Sequence, residues 1–279
     1  MELCQLFSKI FYNHTNTFSL WNGYHIYAID GSTIQIPPSD ENINFWGNNP
    51  NQYGKDDPLA SASLLYDVMN DIIVDSYIGK YRFSERDAAQ KHIDFFMDLH
   101  LSGKHIFLFD RGYPSYDLFS KLMLHQLHFV MRLPSSFKKL INAEKEDILV
   151  QYQQKGRHLP LHLRCIHVYL PDGSIEYLVT NIMDTSFTAD TFKELYFLRR
   201  GIEGRYKEIK VLFRLESFSG CKPEIIKQDF YSTVFLSNLA ALIKGMADMQ
   251  LKMNEQNKYK YQVNRNFIPD YSRHSRESH

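Results

Sequence analysis

Apolar and polar positions along the chain follow two periods, and the changes from one to the other mark its elements. YHIYAIDGSTIQI (24 to 36) reads as two apolar runs around Asp-Gly-Ser, the signature of strand, turn, strand. The polar stretch 37 to 57, with Pro37, Pro38 and clustered Asn, predicts a loop. LASASLLYD and DIIVDSYIGKY, joined near Asp67 to Asn70, predict a second hairpin. From Ser84 the period becomes helical: Ser84-Glu85-Arg86-Asp87 has capping-box spacing, and Ala88, Ile93, Phe96, Met97 and Leu99 suit one face of a helix. HIFLFD (105 to 110) is a continuous apolar run ending in a carboxylate, as in a fully buried strand. A helix from about Ser115 to Leu124 and a strand HFVMRL (128 to 133) follow, so the spacing predicts a βαβ crossover and a partly parallel sheet.

The segment 134 to 187 differs in character, with several short β-rich runs and turns at Lys155-Gly156 and Pro171-Asp172-Gly173. Helical periodicity returns from Thr188 to about Leu215 and from Pro223 to about Met249. The chain thus divides into a short, unassigned N-terminal segment 1–23, a core in two parts (24–133 and 188–250), a β-rich insertion 134–187 between them, and an irregular tail 251–279.

Composition narrows the setting. With 279 residues and 44% hydrophobic content the chain can bury a full-sized core. Cys4, Cys165 and Cys221 show no paired or metal-ligand spacing, which fits a reducing, cytoplasmic setting. The N-terminus lacks a secretory pattern, and the apolar stretch Phe230 to Ile243 is interrupted by Ser and Asn and reads as too short for a bilayer, so no membrane partner is expected. Lys plus Arg and Asp plus Glu both total 32, so a nucleic-acid site has to be local. The segment Lys193 to Lys210 offers one: Lys193, Arg199, Arg200, Arg205, Lys207 and Lys210 against Glu194, Glu203 and Glu208. His105, His128 and His167 lie inside apolar runs and read as core or edge histidines, since none has ligand spacing.

Two acids, Asp30 and Asp110, each end a buried run, which in a parallel sheet brings both to the edge where ligands bind. Carboxylates placed together there repel unless a cation lies between them, and Mg²⁺ favours one or two carboxylates plus phosphate oxygens. Singly, Asp30 is also an ordinary turn residue and Asp110 a helix cap or ion-pair partner. In LYFLRRGIEGRYKEIKVLF (195 to 213), taken as one helix, Tyr196, Arg199, Glu203 and Lys210 share a stripe beside an apolar face of Leu195, Leu198, Ile202, Tyr206, Ile209 and Phe213. Glu203 can complete the acid set, while Arg199 grips a phosphate bidentately and Lys210 supplies a point charge. A salt-bridged helix with Arg199 and Glu203 paired at i, i+4 is the plainer alternative. Gly201 and Gly204 weigh against it, since each costs a helix interior about 1 kcal/mol.

Tyr196-x2-Arg199-x3-Glu203-x6-Lys210 resembles the Tyr-Arg-Glu-Lys signature of bacterial insertion-sequence transposases of the IS four group, within the DDE superfamily. Asp30-Gly31-Ser32, Asp110-Arg111-Gly112-Tyr113, HFVMRL and Leu178-Val179-Thr180-Asn181 are similar to the pieces around its acids, from about Tyr24 to Met249. The resemblance implies an α/β, RNase H-like mixed sheet flanked by helices, with a β-strand-rich insertion between the second and third acids. It implies Asp30, Asp110 and Glu203 as catalytic and metal-binding residues for Mg²⁺, with Mn²⁺ able to substitute and two ions in use. It further implies cleavage of transposon ends and strand transfer, with Tyr196, Arg199, Arg200, Lys207 and Lys210 contacting DNA. The partners implied are terminal inverted repeats, target DNA and a second copy of the chain when DNA is bound, in the bacterial cytoplasm at the nucleoid.

Three departures are visible. Only 29 residues precede Asp30, which suggests a truncated copy; Arg200 stands where the family often has Trp; and Trp21 and Trp46 lie outside the insertion, leaving Tyr152, Tyr169 or Tyr177 to stack a flipped base. An RNase H-like nuclease without strand transfer and a catalytically silent DNA-binding remnant are the alternative readings.

Overall fold

A computed structural model describes residues 1–15, 18–50, 56–137, 146–157 and 159–253. The strands are β1 (Tyr24–Gln35), β2 (Asn48–Pro50), β3 (Asp56–Asp67), β4 (Ile72–Lys80), β5 (Lys104–Phe109), β6 (His128–Arg132), β7 (Asp147–Tyr152), β8 (Leu161–Tyr169) and β9 (Ile175–Thr180). The helices are α1 (Glu2–His14), α2 (Asp40–Trp46), α3 (Glu85–Asp98), α4 (Tyr116–Leu124), α5 (Ala189–Phe197), α6 (Arg200–Val211) and α7 (Pro223–Met253).

Among the described residues these nine strands form one mixed sheet in the order β2-β3-β1-β5-β6-β9-β8-β7, with β4 on β3. β1, β5 and β6 are parallel, as the crossover spacing predicts, and the other pairings are antiparallel. The strands of the 134–187 segment continue this same sheet, because β9 bonds directly to β6 through Val130↔Thr180 to Arg132↔Leu178.

Alternation along the central strands builds two cores. Ile26, Ala28, Ile106, Leu108 and Val130 face one layer, with α5, α6 and α7. Tyr27, Ile29, Phe107, Phe109, Phe129 and Met131 face the other, with α3 and α4. Helix α3 begins where its sequence requires: the Ser84 hydroxyl accepts from the Asp87 N–H, and Ala88, Ala89, Ile93 and Phe96 are buried. Helix α7 has the length and apolarity of a membrane span over Pro223–Asp248, longer than the interrupted apolar stretch from Phe230 to Ile243 suggested. Here it packs on the sheet, with Asn238 donating to Ile73 O and accepting from Ile73 N, both at 2.8 Å.

Four expectations change. The run 24 to 36 is one continuous strand and not two around a turn, because β3 pairs with it from Tyr27↔Asp67 to Gln35↔Leu59 without interruption at Asp30-Gly31-Ser32. Polar residues 37 to 57 are not all loop: Ser39 caps α2, whose Trp46 and Asn42 are buried, and residues 51–55 lie outside the description. The segment 1–23 carries α1, packed by Cys4, Ser8 and Tyr12. Of the predicted tail, Leu251–Met253 continue α7, and 254–279 lie outside the described residues.

The start of the parallel strands is aromatic and histidine-rich. His105 is buried, 5.2 Å from the ring centres of both His25 and Phe96, with Nδ1 unpartnered. His128 Nδ1 and His167 Nε2 are likewise buried without a partner, so these core histidines are only partly satisfied. Burial, then the neighbouring His25, lowers the pKa of His105 to about 4. A folded-state pKa below the unfolded one means that the neutral ring contributes fully above the ordinary value near 6.5, and that this contribution is lost as pH falls toward 4. Replacing His105 by Phe, whose ring suits the Phe96 and Phe107 packing, should therefore shift stability toward the variant by about 2 kcal/mol between pH 8 and pH 5. Denaturant titrations at the two pH values check this; a difference independent of pH contradicts it.

Candidate functional site

The parallel register Ile29↔Phe109 makes Asp30 and Asp110 the next residues on adjacent strands. Both follow the alternation of Ile26, Ala28, Ile106 and Leu108, so their carboxylates lie on the face covered by α5 to α7. The first predicted acid pair is thus set by strand pairing alone.

The segment 195 to 213, expected as one helix, is two. Helix α5 ends at Phe197 and α6 starts at Arg200, joined by a tight turn in which Arg199 N–H donates to Tyr196 O and Ile202 N–H to Arg199 O. The apolar face still anchors both helices, with Leu195, Ile202, Tyr206 and Ile209 buried. The turn aims Arg199 at the acids: Nη1 is 3.1 Å from Asp30 Oδ2 and Nη2 is 2.5 Å from Glu203 Oε1. The Tyr196 hydroxyl donates to Phe109 O at 3.3 Å and reaches Asp110 Oδ1 at 3.5 Å. Glu203 is the more exposed acid, at 54% for its side chain against 22% for Asp30.

Lys210 sits further along β1, donating to Thr33 O at 2.6 Å and lying 3.6 Å from Glu216. Arg200 and Lys207 are exposed and outside the acid set; the Arg200 guanidinium covers the Phe197 ring at 4.7 Å. Arg205, part of the basic segment in sequence, is withdrawn from any ligand surface. It is 2% exposed and bound to Glu208 at 3.1 Å and Ser237 at 3.2 Å, locking α6 onto α7. Of the two helix glycines, Gly201 lies against side chains, where a methyl group would meet Val68 at 3.1 Å, and Gly204 faces open space.

Residues the sequence did not single out complete the site. The Tyr206 hydroxyl donates to Asp30 O at 3.0 Å. The Tyr113 ring is 1% exposed and its hydroxyl has no hydrogen-bond partner, although Asp30, Glu85 and Asp110 are its electrostatic neighbours. Glu85, in the first turn of α3, borders a polar cleft of about 480 Å³ with Ser32, Thr33, Ser61 and Arg82. Of these, Tyr113 carried a sequence signal in the run Asp110-Arg111-Gly112-Tyr113, and Tyr206 only as a member of the apolar helix face. Glu85 was legible only as part of a capping box.

The electrostatics are those of crowded acid. Burial raises the Asp30 pKa to about 6; Arg199 and the Gly31 N–H pull it down, and Asp110 and Glu85 push it up. Burial works against the charge on Arg199, but Tyr196, Asp30, Asp110 and Glu203 outweigh it and hold the group above its ordinary value. Among the described residues no three His, Cys, Asp or Glu side chains are gathered as a ready ligand cage. The donor set nevertheless suits a hard divalent cation: carboxylates at one sheet edge, the foremost reluctant to ionise, with a buried orphan hydroxyl among them.

Another constellation, Asp75, His92 and Ser63, has bond lengths of 2.7 and 3.0 Å that would suit a nucleophile relay. Ser63 and His92 are fully buried and Asp75 nearly so, so no substrate reaches the hydroxyl, and the trio serves to tie α3 to β3 and β4.

Residues 21–239 match the family described as Transposase DDE domain. No curated protein matches the sequence. In fold the chain is similar to a chain of the piggyBac transposase synaptic complex with hairpin DNA, with a TM-score of 0.57 at 11% identity. The likeness covers 88% of this chain and 51% of that one, so the chain spans about half the length of its structural relative. The mixed sheet flanked by helices is the α/β fold expected from the sequence.

Because the Asp30 carboxyl has its folded-state pKa above the unfolded value of 3.8, its contribution to stability is present below 3.8 and lost as pH rises through about 6. In metal-free protein Asp30→Asn should therefore raise Tm by a few degrees at pH 8, on the order of 2–4 °C per kcal/mol, with the gain fading below pH 4. A Tm at pH 8 unchanged or lowered by the substitution contradicts this electrostatic picture.

Proposed function

The chain belongs to the Transposase DDE domain family, and from that premise we propose that it is a divalent-metal-dependent DNA phosphoryl-transfer enzyme of the IS four group, cleaving transposon ends and joining them to target DNA. The observation that carries this reading is the Asp30 and Asp110 pair at the ends of adjacent parallel strands, with Arg199 delivered to it from the α5–α6 turn and bridging Asp30 to Glu203 on α6.

Asp30, Asp110 and Glu203 are the residues that would hold the metal. When bound there, two Mg²⁺ ions, or Mn²⁺ in their place, would supply Lewis-acid activation of the attacking water or hydroxyl and charge neutralisation at the leaving oxygen. The protein's own part is positioning. The parallel pairing holds the backbones that lead into the two acids a strand spacing of about 4.8 Å apart. The Arg199 fork, now shared between two carboxylates, has the geometry to hold a phosphate bidentately. Tyr196 is held buried against Asp110 by its hydroxyl and orients the cut end, while Lys210 supplies positive charge at Thr33. Arg200 and Lys207 lie exposed on α6 and provide contacts to the DNA backbone, which would make binding fall with salt. The cognate DNA would be the terminal inverted repeats and a target duplex, engaged by two copies of the chain in the bacterial cytoplasm.

Labelled duplexes carrying the terminal repeats that flank the chain's own coding sequence test the reading. With Mg²⁺ the wild type should yield nicked ends and joined products, and Asp110→Asn and Glu203→Gln should lower the rate at least about a hundredfold while DNA binding persists. Products unaffected by either substitution would overturn the assignment, and binding without any cleavage by the wild type would favour a silent DNA-binding protein.

A further inference from the structure

Glu85 lies where a purely structural acid has no need to be. It is in the first turn of α3, and α3 covers the face of the sheet opposite to the one on which Asp30, Asp110 and the α5–α6 turn meet. A first-turn acid gains about 0.3–1 kcal/mol from the helix macrodipole, and nothing in that interaction requires it to reach the sheet edge. Yet the carboxylate does reach it. A methyl group added to Gly31, directly after Asp30, would lie 2.8 Å from Glu85 Oε1, and one added to Gly112, two residues after Asp110, would lie 3.3 Å from Oε2. Glu85 thus occupies the space that side chains at these two glycines would fill, bridging the ends of both acid-bearing strands.

An independent observation marks the same spot as a place for a ligand. The Tyr113 hydroxyl is buried without a hydrogen-bond partner, and its ionisation is opposed by burial and then by Asp30, Glu85 and Asp110. The same acid flanks the cleft that runs along Ser32, Thr33 and Ser61 from Gly31 outward. From this geometry we infer that Glu85 is a fourth metal-ligating carboxylate, reaching the Asp30 and Asp110 pair from α3, the role that the proposed function gives Glu203 from α6. The inference rests on the metal-dependent reading of this site.

Mn²⁺ alone is the probe, added to the full chain and followed by electron paramagnetic resonance of the free ion. Glu85→Gln should weaken Mn²⁺ binding at least about tenfold, the loss typical even of outer-sphere partners. It should leave the metal-free Tm within about 2 °C, since a first-turn helix charge is worth so little. Glu85→Asp keeps the charge at the helix start but withdraws the carboxylate by one methylene, and should also lose affinity. Glu85→Gln binding within twofold of wild type, while Asp110→Asn binds much more weakly, would overturn the role of Glu85 and leave the metal site standing. Loss with Glu85→Gln and full retention with Glu85→Asp would also overturn it, identifying long-range charge and not ligation. Asp110→Asn without effect on Mn²⁺ binding would remove the reading on which the inference rests.

Discussion

Two carboxylates held side by side against their own repulsion are the constraint around which this molecule is arranged. The parallel pairing of β1 with β5 leaves Asp30 and Asp110 no freedom to separate, because each is one residue past the paired Ile29 and Phe109. Burial makes the arrangement costlier, and the Asp30 carboxyl answers by holding its proton up to about pH 6. Neighbouring polar groups either answer that charge or satisfy the strand ends. Arg199 bridges Asp30 to Glu203, the Gly31 N–H donates to Asp30 Oδ1, and the hydroxyls of Tyr196 and Tyr206 bond to the strand ends.

Rigid packing keeps those groups at the edge. Helix α6 is fixed on one face by Ile202, Tyr206 and Ile209 and by the buried Arg205, which bonds to α7. Breaking such a buried charge network by removing one partner costs about 3–5 kcal/mol, so Arg205 is a fixture of the scaffold even though it lies between DNA-facing candidates in sequence. On the opposite face Ala89, Ile93 and Phe96 seat α3, and the enclosed Ser63, His92 and Asp75 trio fixes its rotation, which decides where Glu85 points.

Most of the sheet was legible in sequence because its signals are local. The 3.6 period after Ser84, the apolar run before Asp110 and the strand-helix-strand spacing depend on neighbours within a few residues. What escaped depends on distant partners. Asp30-Gly31-Ser32 carries turn chemistry, and only the equally long β3 alongside keeps it extended. Gly31 there leaves room for a side chain 54 positions away in sequence, which no local pattern encodes. The stripe through Tyr196, Arg199, Glu203 and Lys210 was visible, but the tight turn at Leu198-Arg199 that brings Arg199 onto Asp30 was not, because leucine and arginine are ordinary helix formers. Glu85 stayed hidden for a related reason: an acid in a first helical turn needs no explanation beyond the macrodipole.

The central claim is that the crowded edge is a divalent-cation site. Anomalous diffraction from crystals of the protein soaked in Mn²⁺ tests it most directly. A peak about 2.1 Å from carboxylate oxygens of both Asp30 and Asp110 is the predicted result. Saturating Mn²⁺ with no peak at that edge, or with peaks only at unrelated carboxylates, would contradict the account.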